Sequence, residues 1–361
     1  MSPTAKIYSQ TPLYKAVKSG VEGEVRRALR DAAQIATINI VCDRFHGTAL
    51  GLAAFEGYMN IVLLLLDRGA DINTAGIYAT ALGMAAGSGK EEIVRLLLDR
   101  GADINTAGVY GTALGMAASF GREEIVRLLL DQGADINAVG DIYGTPLSAA
   151  ACNGGIYQAV MKLLLDRGAD INIMGGSYGT ALGAAAKLRQ NANVRLLLDR
   201  GANINIIGGR YGTALSAAAN SGNREIVELL LDRGADINTV GGNYDTALGA
   251  AAYKGEQATV KLLLDRGADI SAVGGNYGTA LGAAAFSTGN ASVFSENMPR
   301  HSFTQSDVWI RYHRLEDLQR YKPIVELLLD RGADINAVGG NYGTALGAAA
   351  FSGNGAIVGL L

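Results

Sequence analysis

Residues 274–285 read GGNYGTALGAAA, and the same letters return at 339–350. Looser copies run along most of the chain, and the Thr of each Thr-Ala/Pro-Leu marks the position of a copy. Successive markers lie 32–37 residues apart, except for one spacing of 65. A period near 33 residues predicts a solenoid, in which each repeat buries its apolar side only against its neighbours. The markers are Thr11, Thr48, Thr80, Thr112, Thr145, Thr180, Thr213, Thr246, Thr279 and Thr344.

Each repeat reads as two short helices. The marker threonine is a good N-cap for the first helix, and Pro12 and Pro146 follow it at the first helical position in two repeats. The pattern Ile-Val-x-Leu-Leu-Leu, as at 93–98, predicts a second helix that is apolar on more than one side, as packing between two neighbours requires. Arg100 suits the negative end of that helix, and Gly101 suits a left-handed closing position.

These repeats resemble the ankyrin repeat, and the resemblance spans nearly the whole chain. The matching features are Thr-(Pro)-Leu, Ala-Ala, Gly, Ile-Val-x-Leu-Leu-Leu and Gly-Ala-Asp-x-Asn, as at 234–238. The sequence pattern GG-x-Y-G-T-A-L is similar to that of repeats in filamentous-fungal multidomain proteins. In those proteins the repeats often follow a NACHT-type nucleotide-binding module. The resemblance implies an all-α solenoid of about ten stacked helix-turn-helix units with hairpin loops and a concave face.

The spacing predicts four segments. Residues 1–40 form a degenerate N-terminal capping repeat, and 41–287 form regular ankyrin-like repeats. Residues 288–321 are an insertion within the ninth repeat, and 322–361 hold the end of the ninth repeat and a truncated tenth. The insertion is open to three interpretations: a docking helix, a disordered loop or an unspliced intron. The truncation favours a chain that is a fragment of a longer array.

Composition and motifs argue against several functional classes. A formal net charge of −3 with no basic block argues against nucleic acid, and no segment has the character of a signal peptide or a membrane span. Two cysteines and three histidines offer neither metal-ligand spacing nor a catalytic arrangement, and no Gly-Lys-Ser/Thr follows the Gly-rich turns. We therefore predict an intracellular protein, cytoplasmic or nuclear, that is not an enzyme and has no cofactor, metal or small-molecule substrate.

The repeats depart from the family in the first helix, where glycine replaces the usual histidine. Each helical glycine costs about 1 kcal/mol relative to alanine, so we hypothesise that a tyrosine five residues earlier covers the bared surface. The glycines are Gly51, Gly83, Gly115, Gly183, Gly249, Gly282 and Gly347. The tyrosines, predicted to be structural, are Tyr78, Tyr110, Tyr143, Tyr178, Tyr211, Tyr244, Tyr277 and Tyr342.

Partner recognition is expected at positions where the repeats differ from one another, since the residues that all repeats share are explained by stacking. In the resembled family, partners contact the hairpin tips and the concave end of the first helix. At those positions the N-terminal repeats carry apolar residues, the middle repeats carry basic residues, and later repeats carry aromatic residues again. Such a surface predicts a protein interface. The candidates are Phe55, Ile77, Val109, Phe120, Ile142, Lys187, Arg210, Tyr253 and Phe286. The alternative is that these residues have no binding role and are surface substitutions that a diverging repeat tolerates.

The predicted function is a protein–protein interaction scaffold that binds partner proteins through the concave face and hairpin tips. The alternative is a sensor or autoinhibitory array that belongs to a larger NACHT-type nucleotide-binding switch protein. The first prediction depends on a surface built for protein partners, whereas the second depends on a module outside these residues.

Overall fold

A computed structural model provides the coordinates of the chain. It describes residues 11–42, 45–140, 142–154, 158–286 and 320–361. The chain divides into two compact units, residues 1–181 and 182–361, called the N-terminal unit and the C-terminal unit below. Across the described residues the secondary structure is helical, with isolated bridges between hairpin glycines and no β-strand. No helix in these residues is long and apolar enough to cross a bilayer.

The helices alternate between a first and a second helix of each repeat. The first helices are α1 (Pro12–Ser19), α4 (Ala49–Glu56), α6 (Ala81–Ser88), α8 (Ala113–Ser119), α10 (Pro146–Ala151), α12 (Ala181–Lys187), α14 (Ala214–Ser221), α16 (Ala247–Lys254), α18 (Ala280–Phe286) and α20 (Ala345–Ser352). The second helices are α2 (Glu22–Ala28), α5 (Met59–Asp67), α7 (Glu91–Asp99), α9 (Glu123–Asp131), α11 (Gln158–Asp166), α13 (Asn191–Asp199), α15 (Arg224–Asp232), α17 (Gln257–Asp265), α19 (320–330) and α21 (Gly355–Val358). A single turn, α3 (Ala32–Ile35), follows α2.

First helices stack on first helices within each unit. In the N-terminal unit α4, α6, α8 and α10 pack in succession, and in the C-terminal unit α14, α16, α18 and α20 do the same. Their contact surfaces are made of small residues such as Ala85 and Ala251, which are fully buried and let the helices approach closely. Leucines such as Leu97 fill the layer between the two rows of helices. The predicted all-α repeat solenoid is therefore confirmed.

The predicted helix signals act as expected. Thr246 Oγ1 accepts a hydrogen bond of 3.1 Å from Gly249 N, and Gly255 closes the same helix with φ = 73°. Gly101 closes a second helix with φ = 84°, in the left-handed region that glycine adopts at little cost. The threonines that cap a first helix in this way are Thr11, Thr48, Thr80, Thr112, Thr145, Thr213, Thr246, Thr279 and Thr344.

The hairpin loops join neighbouring repeats through backbone hydrogen bonds. Val109 N donates to Ile77 O at 3.0 Å, and Ile142 N donates to Val109 O at 3.2 Å. Side chains add a second link, because Asn73 Oδ1 accepts from Asp103 N at 2.8 Å. The recurrent Asp-Ile-Asn is thus explained by stacking, without a bound ion.

The hypothesis that each tyrosine ring covers a first-helix glycine is wrong. A Cβ on Gly249 would lie 2.4 Å from the carbonyl oxygen of Tyr244, so the hairpin backbone and not the ring closes over this glycine. At Gly115 the nearest atom that a Cβ would meet outside its own helix backbone, among the described residues, is the hydroxyl oxygen of Thr112, at 3.8 Å. The rings lie against other rings instead, as described below.

An Asp-Arg ladder runs along the ends of the second helices. In five repeats the arginine pairs with the aspartate of the preceding repeat, at exposed positions, whereas Arg68 donates to Leu29 O. Gln132 stands where the ladder otherwise has arginine. The pairs are Arg100–Asp67, Arg167–Asp131, Arg233–Asp199, Arg266–Asp232 and Arg331–Asp265, with N–O distances of 2.9–3.3 Å.

Restoring the missing arginine should have little effect. We expect Gln132→Arg to raise the free energy of unfolding by less than about 0.5 kcal/mol, because exposed ion pairs are screened and cost side-chain entropy. Urea unfolding at low and high salt measures this effect, with Gln132→Lys as the control for charge alone. A gain above about 1 kcal/mol that survives high salt would show that the ladder is a main source of stability.

The insertion predicted at 288–321 lies outside the described residues, apart from its last two. Arg320 and Tyr321 belong to α19 and contact the repeat before the insertion. Tyr321 OH donates to Tyr253 O at 3.1 Å, and Arg320 Nη2 lies 3.0 Å from Glu256 Oε1. The second helix of the ninth repeat therefore already includes these two residues.

Candidate functional site

A groove of about 610 Å³ opens in the N-terminal unit, between the hairpin loops and the ends of the first helices. Its volume is in the range of pockets that hold a drug-sized ligand. We call it the aromatic groove, because aromatic residues are the commonest type in its lining. These residues are Phe45, Phe55, Tyr78, Tyr110, Phe120 and Tyr143.

Two methionines form the floor of the aromatic groove. Met84 and Met116 are buried, cluster with Ala79 and pack against Phe55 and the hairpin tyrosines. Each is the fourth residue after a cap threonine, where the C-terminal unit has alanine, as at Ala250. Unbranched and polarizable methionine side chains adapt to guests of different shape, so this floor can adjust to what occupies the groove.

The tyrosines of the aromatic groove form a stack. Tyr78 and Tyr110 are parallel within 7°, with ring centroids 4.2 Å apart, and Tyr143 lies 5.6 Å from Tyr110 at a tilt of 56°. A hydrogen bond with Tyr78 raises the pKa of the Tyr110 phenol, and burial raises the pKa of Tyr143. These phenols are therefore uncharged at neutral pH and present flat, apolar faces.

The rim carries one acidic and two basic side chains. Glu56, Lys90 and Arg122 line the edge, and the guanidinium of Arg122 is anchored because its Nε donates to Gly87 O at 3.0 Å. The net charge of the rim is therefore positive. This arrangement favours a ligand that combines an apolar body with acidic ends.

The seventh residue after the cap threonine differs between repeats. In the last three repeats it is aromatic, whereas Lys187 and Asn220 stand there in the two repeats before them. Tyr253 lies 4.7 Å from Tyr244, and Phe286 lies 4.9 Å from Tyr277, measured between ring centroids. The N-terminal unit has small residues at this position in a pair of consecutive repeats, namely Gly87 and Ser119. Gly87 lines the groove with Phe120 and Met116 close against it, whereas Ser119 is buried and does not line the groove.

The predicted partner-binding residues separate into three groups. Phe55 and Phe120 line the aromatic groove, and Phe120 is 49% exposed. Ile77, Val109 and Ile142 do not line it; they are half-buried and link the hairpins through their backbones. The end of the first helix therefore lines the groove, whereas these three hairpin residues link neighbouring repeats, and partner binding at either place stays a prediction.

The remaining candidates lie in the C-terminal unit. Lys187 Nζ donates to Asn220 Oδ1 at 2.5 Å and lies 4.6 Å from the ring centroid of Tyr211, and burial beside Lys254 lowers the pKa of Lys187 to about 8. Arg210 is exposed, and its side chain hydrogen-bonds Tyr244.

The prediction that Phe286 belongs to an exposed row of partner-binding side chains needs correction. It was expected to be exposed, but it is only 5% exposed, because its ring packs between Tyr277 and Tyr342 at centroid distances of 4.9 and 4.6 Å. Tyr253 is half-buried in the same kind of stack. These two rings contribute to packing within the C-terminal unit.

Sequence reasoning missed Phe45, Met84, Lys90, Met116 and Arg122 as groove residues. A usable signal exists for the methionines, because they interrupt a run of alanines at one position of the repeat. Aligning the repeats by their cap threonines would also have shown the two small residues at the seventh position.

Other chemistry finds little support among the residues that the structure describes. Within them no group of three or more His, Cys, Asp or Glu side chains could hold a metal ion. Cys42 and Cys152 are both buried, and burial raises the pKa of Cys152 to about 12, which makes it a poor nucleophile.

Comparisons with known proteins agree with the repeat architecture. A family model described as ankyrin repeats (3 copies) matches residues 2–76, 75–140, 139–208 and 215–295. These matches together cover well over half of the chain. A search of curated proteins found no match.

Proposed function

Because the chain belongs to the ankyrin-repeat family, we propose that it is a scaffold that binds partner proteins through the aromatic groove and the adjoining hairpin loops. Ankyrin repeats generally mediate protein–protein interaction, and the family typically has no enzymatic activity of its own. The observation that carries the proposal is the half-exposed ring of Phe120 beside a cavity of about 610 Å³.

The composition of the aromatic groove supports this role. Aromatic residues, methionine and arginine are the types enriched in protein interfaces, and the groove combines all three. A central apolar depression with a charged rim is also where binding energy concentrates, because the rim keeps water away from the anchoring side chain.

A second contact region is proposed at Lys187, Arg210 and Tyr253 in the C-terminal unit. Arg210 is exposed, while Lys187 loses its charge more readily than an ordinary lysine because its pKa is lowered to about 8. An acidic partner surface would match this region. The same surfaces would serve a sensor array of a larger nucleotide-binding switch protein, so that alternative stays a prediction.

Affinity capture with matched variants tests the proposed function. We expect Phe120→Glu to remove partners that the wild-type chain captures, because a carboxylate beside buried methionines and tyrosines opposes insertion of an apolar group. Each captured partner is then purified, and its dissociation constant is measured directly.

Val21→Glu is the control, since Val21 is also exposed (50%) but lies at the start of α2, outside the groove and the hairpin loops. Arg210→Glu tests the second region in the same way. If neither Phe120→Glu nor Arg210→Glu changes the set of direct partners, the scaffold proposal for these surfaces is wrong.

A further inference from the structure

We propose that the aromatic groove receives an aromatic side chain from a peptide segment of a partner protein, flanked in that segment by acidic residues. The side chain would lie against Gly87, beside the tyrosine stack and next to Phe120 and Met116. This inference rests on the proposed function, since it names the chemistry of the partner at the same site.

The C-terminal unit shows what fits beside this kind of stack. Tyr244 and Tyr277 are nearly parallel with centroids 6.1 Å apart, and the ring of Tyr253 contacts both, at 4.7 and 4.8 Å. Phe286 repeats the arrangement at the next pair of tyrosines. The chain therefore places its own aromatic ring at this position wherever the seventh residue of the repeat supplies one.

The N-terminal unit has the same tyrosines without the ring between them. Tyr78 and Tyr110 close to 4.2 Å, and Gly87 supplies no side chain below them. A Cβ on Gly87 would meet Phe120 Cδ2 at 3.2 Å and Met116 Cε at 3.3 Å. Both neighbours are the ends of side chains, and Phe120 is half-exposed whereas Met116 is buried, so the incoming ring would displace Phe120 and pack on Met116.

The charges around the groove favour an aromatic side chain over a cationic one as its ligand. Lys187 above Tyr211 shows that a tyrosine face in this fold also accepts a cation. The aromatic groove, however, has an apolar floor of Met84 and Met116 and already carries Lys90 and Arg122 on its rim. A cationic side chain would be repelled there, whereas a ring with neighbouring carboxylates meets both the apolar floor and the basic rim.

Methyl NMR of the full chain can test this inference directly. The chain has seven methionines, of which Met84 and Met116 report on the groove, while Met161 and Met174 lie elsewhere in the N-terminal unit. The probes are the capped peptides Glu-Trp-Glu, Glu-Leu-Glu and Lys-Trp-Lys. Signals are assigned with Met84→Leu and Met116→Leu.

We expect Glu-Trp-Glu to shift Met84 and Met116 through the ring current of the inserted indole and to leave Met161 unchanged. Glu-Leu-Glu should bind about fivefold more weakly, since aromatic pairs add to simple burial of area. Lys-Trp-Lys should also bind more weakly, because of the basic rim. Equal shifts with Trp and Leu peptides, or equal shifts at Met161 and Met174, would overturn the inference.

Filling the groove gives the matched variant. Gly87→Phe mimics Phe286 and should weaken Glu-Trp-Glu binding at least tenfold, whereas Gly23→Phe, at an exposed glycine with open space around it, should leave binding unchanged. Should Gly87→Phe not fold, Lys90→Glu is the second variant, and it should shift the preference from Glu-Trp-Glu towards Lys-Trp-Lys. Unchanged peptide binding in a folded Gly87→Phe or in Lys90→Glu contradicts the inference.

The two proposals fail in different ways. If no peptide binds but partner capture still depends on Phe120, the aromatic anchor is wrong and the scaffold function stands. If capture is insensitive to Phe120→Glu and to Arg210→Glu as well, both are wrong.

Discussion

Gly249→Ala is expected to destabilise the chain by about 1–3 kcal/mol, although alanine is the better helix former. The reason is steric: the new Cβ would lie 2.4 Å from the carbonyl oxygen of Tyr244, closer than real Cβ atoms come to any neighbour. Either α16 or the hairpin before it must move, and both are held by adjacent repeats. Urea unfolding of the full chain, followed by far-UV circular dichroism, measures the loss.

Gly115→Ala is the matched control, at the same position of another repeat. There a Cβ would meet only Thr112 Oγ1, at 3.8 Å, so the helix gains alanine without a clash and should be stabilised by about 1 kcal/mol. The hairpin before Gly115 is one residue shorter, with a bridge between Gly108 and Gly111 in place of the Gly241–Asp245 type of loop. Two variants that shift stability in the same direction would refute this steric account.

The fold could be predicted from the sequence because its signals are local. A threonine that caps a helix, a glycine with positive φ that closes it and an apolar stripe between them act within about ten residues. Thr246 shows the cap, and Gly255 and Gly101 show the closing glycine, as expected. Repetition then makes stacking the only way to bury the leucines and alanines.

The groove could not be predicted in the same way, because it depends on side chains that are absent. Gly87 matters only through its surroundings: Phe120 and Met116 beside it, and the tyrosines of its own and the next repeat, whose position is set by the hairpin path. The hairpin path also explains why tyrosine rings do not cover the helical glycines, since a carbonyl oxygen of the hairpin lies where the ring was expected. The sequence places Phe286 at the surface because it does not show the hairpin path, whereas in the structure its ring is buried.

Asp245→Gly is expected to stabilise the chain by about 2–3 kcal/mol at pH 8. Asp245 has φ = 74°, and the matching position of other hairpins is a glycine such as Gly212 or Gly278, with φ near 80°. A side chain in this left-handed conformation costs about 1 kcal/mol for aspartate, which tolerates it better than most residues. The carboxyl is also 5% exposed, and its Oδ1 has no hydrogen-bond partner among the described residues.

The gain should depend on pH because burial raises the pKa of Asp245 to about 6, from an ordinary value of 3.8. The folded chain then holds the proton more tightly than the unfolded chain. The contribution of Asp245 to stability is therefore highest below about pH 4, falls as the pH rises to about 6 and stays low above that. We expect a loss of about 1–2 kcal/mol, less than the full linkage value because some solvent reaches the carboxyl.

Asp245→Asn separates the two causes. Asparagine keeps the backbone conformation and removes the charge, so it should match wild type at pH 4 and exceed it by about 1–2 kcal/mol at pH 8. Asp245→Gly should exceed wild type at both pH values, because it also removes the backbone strain. Differences between variant and wild type are compared at each pH, since the lowered pKa values of Asp103 and Asp269 affect all three chains alike. If the advantage of Asp245→Asn is the same at pH 4 and pH 8, the buried carboxyl is not the source of the instability.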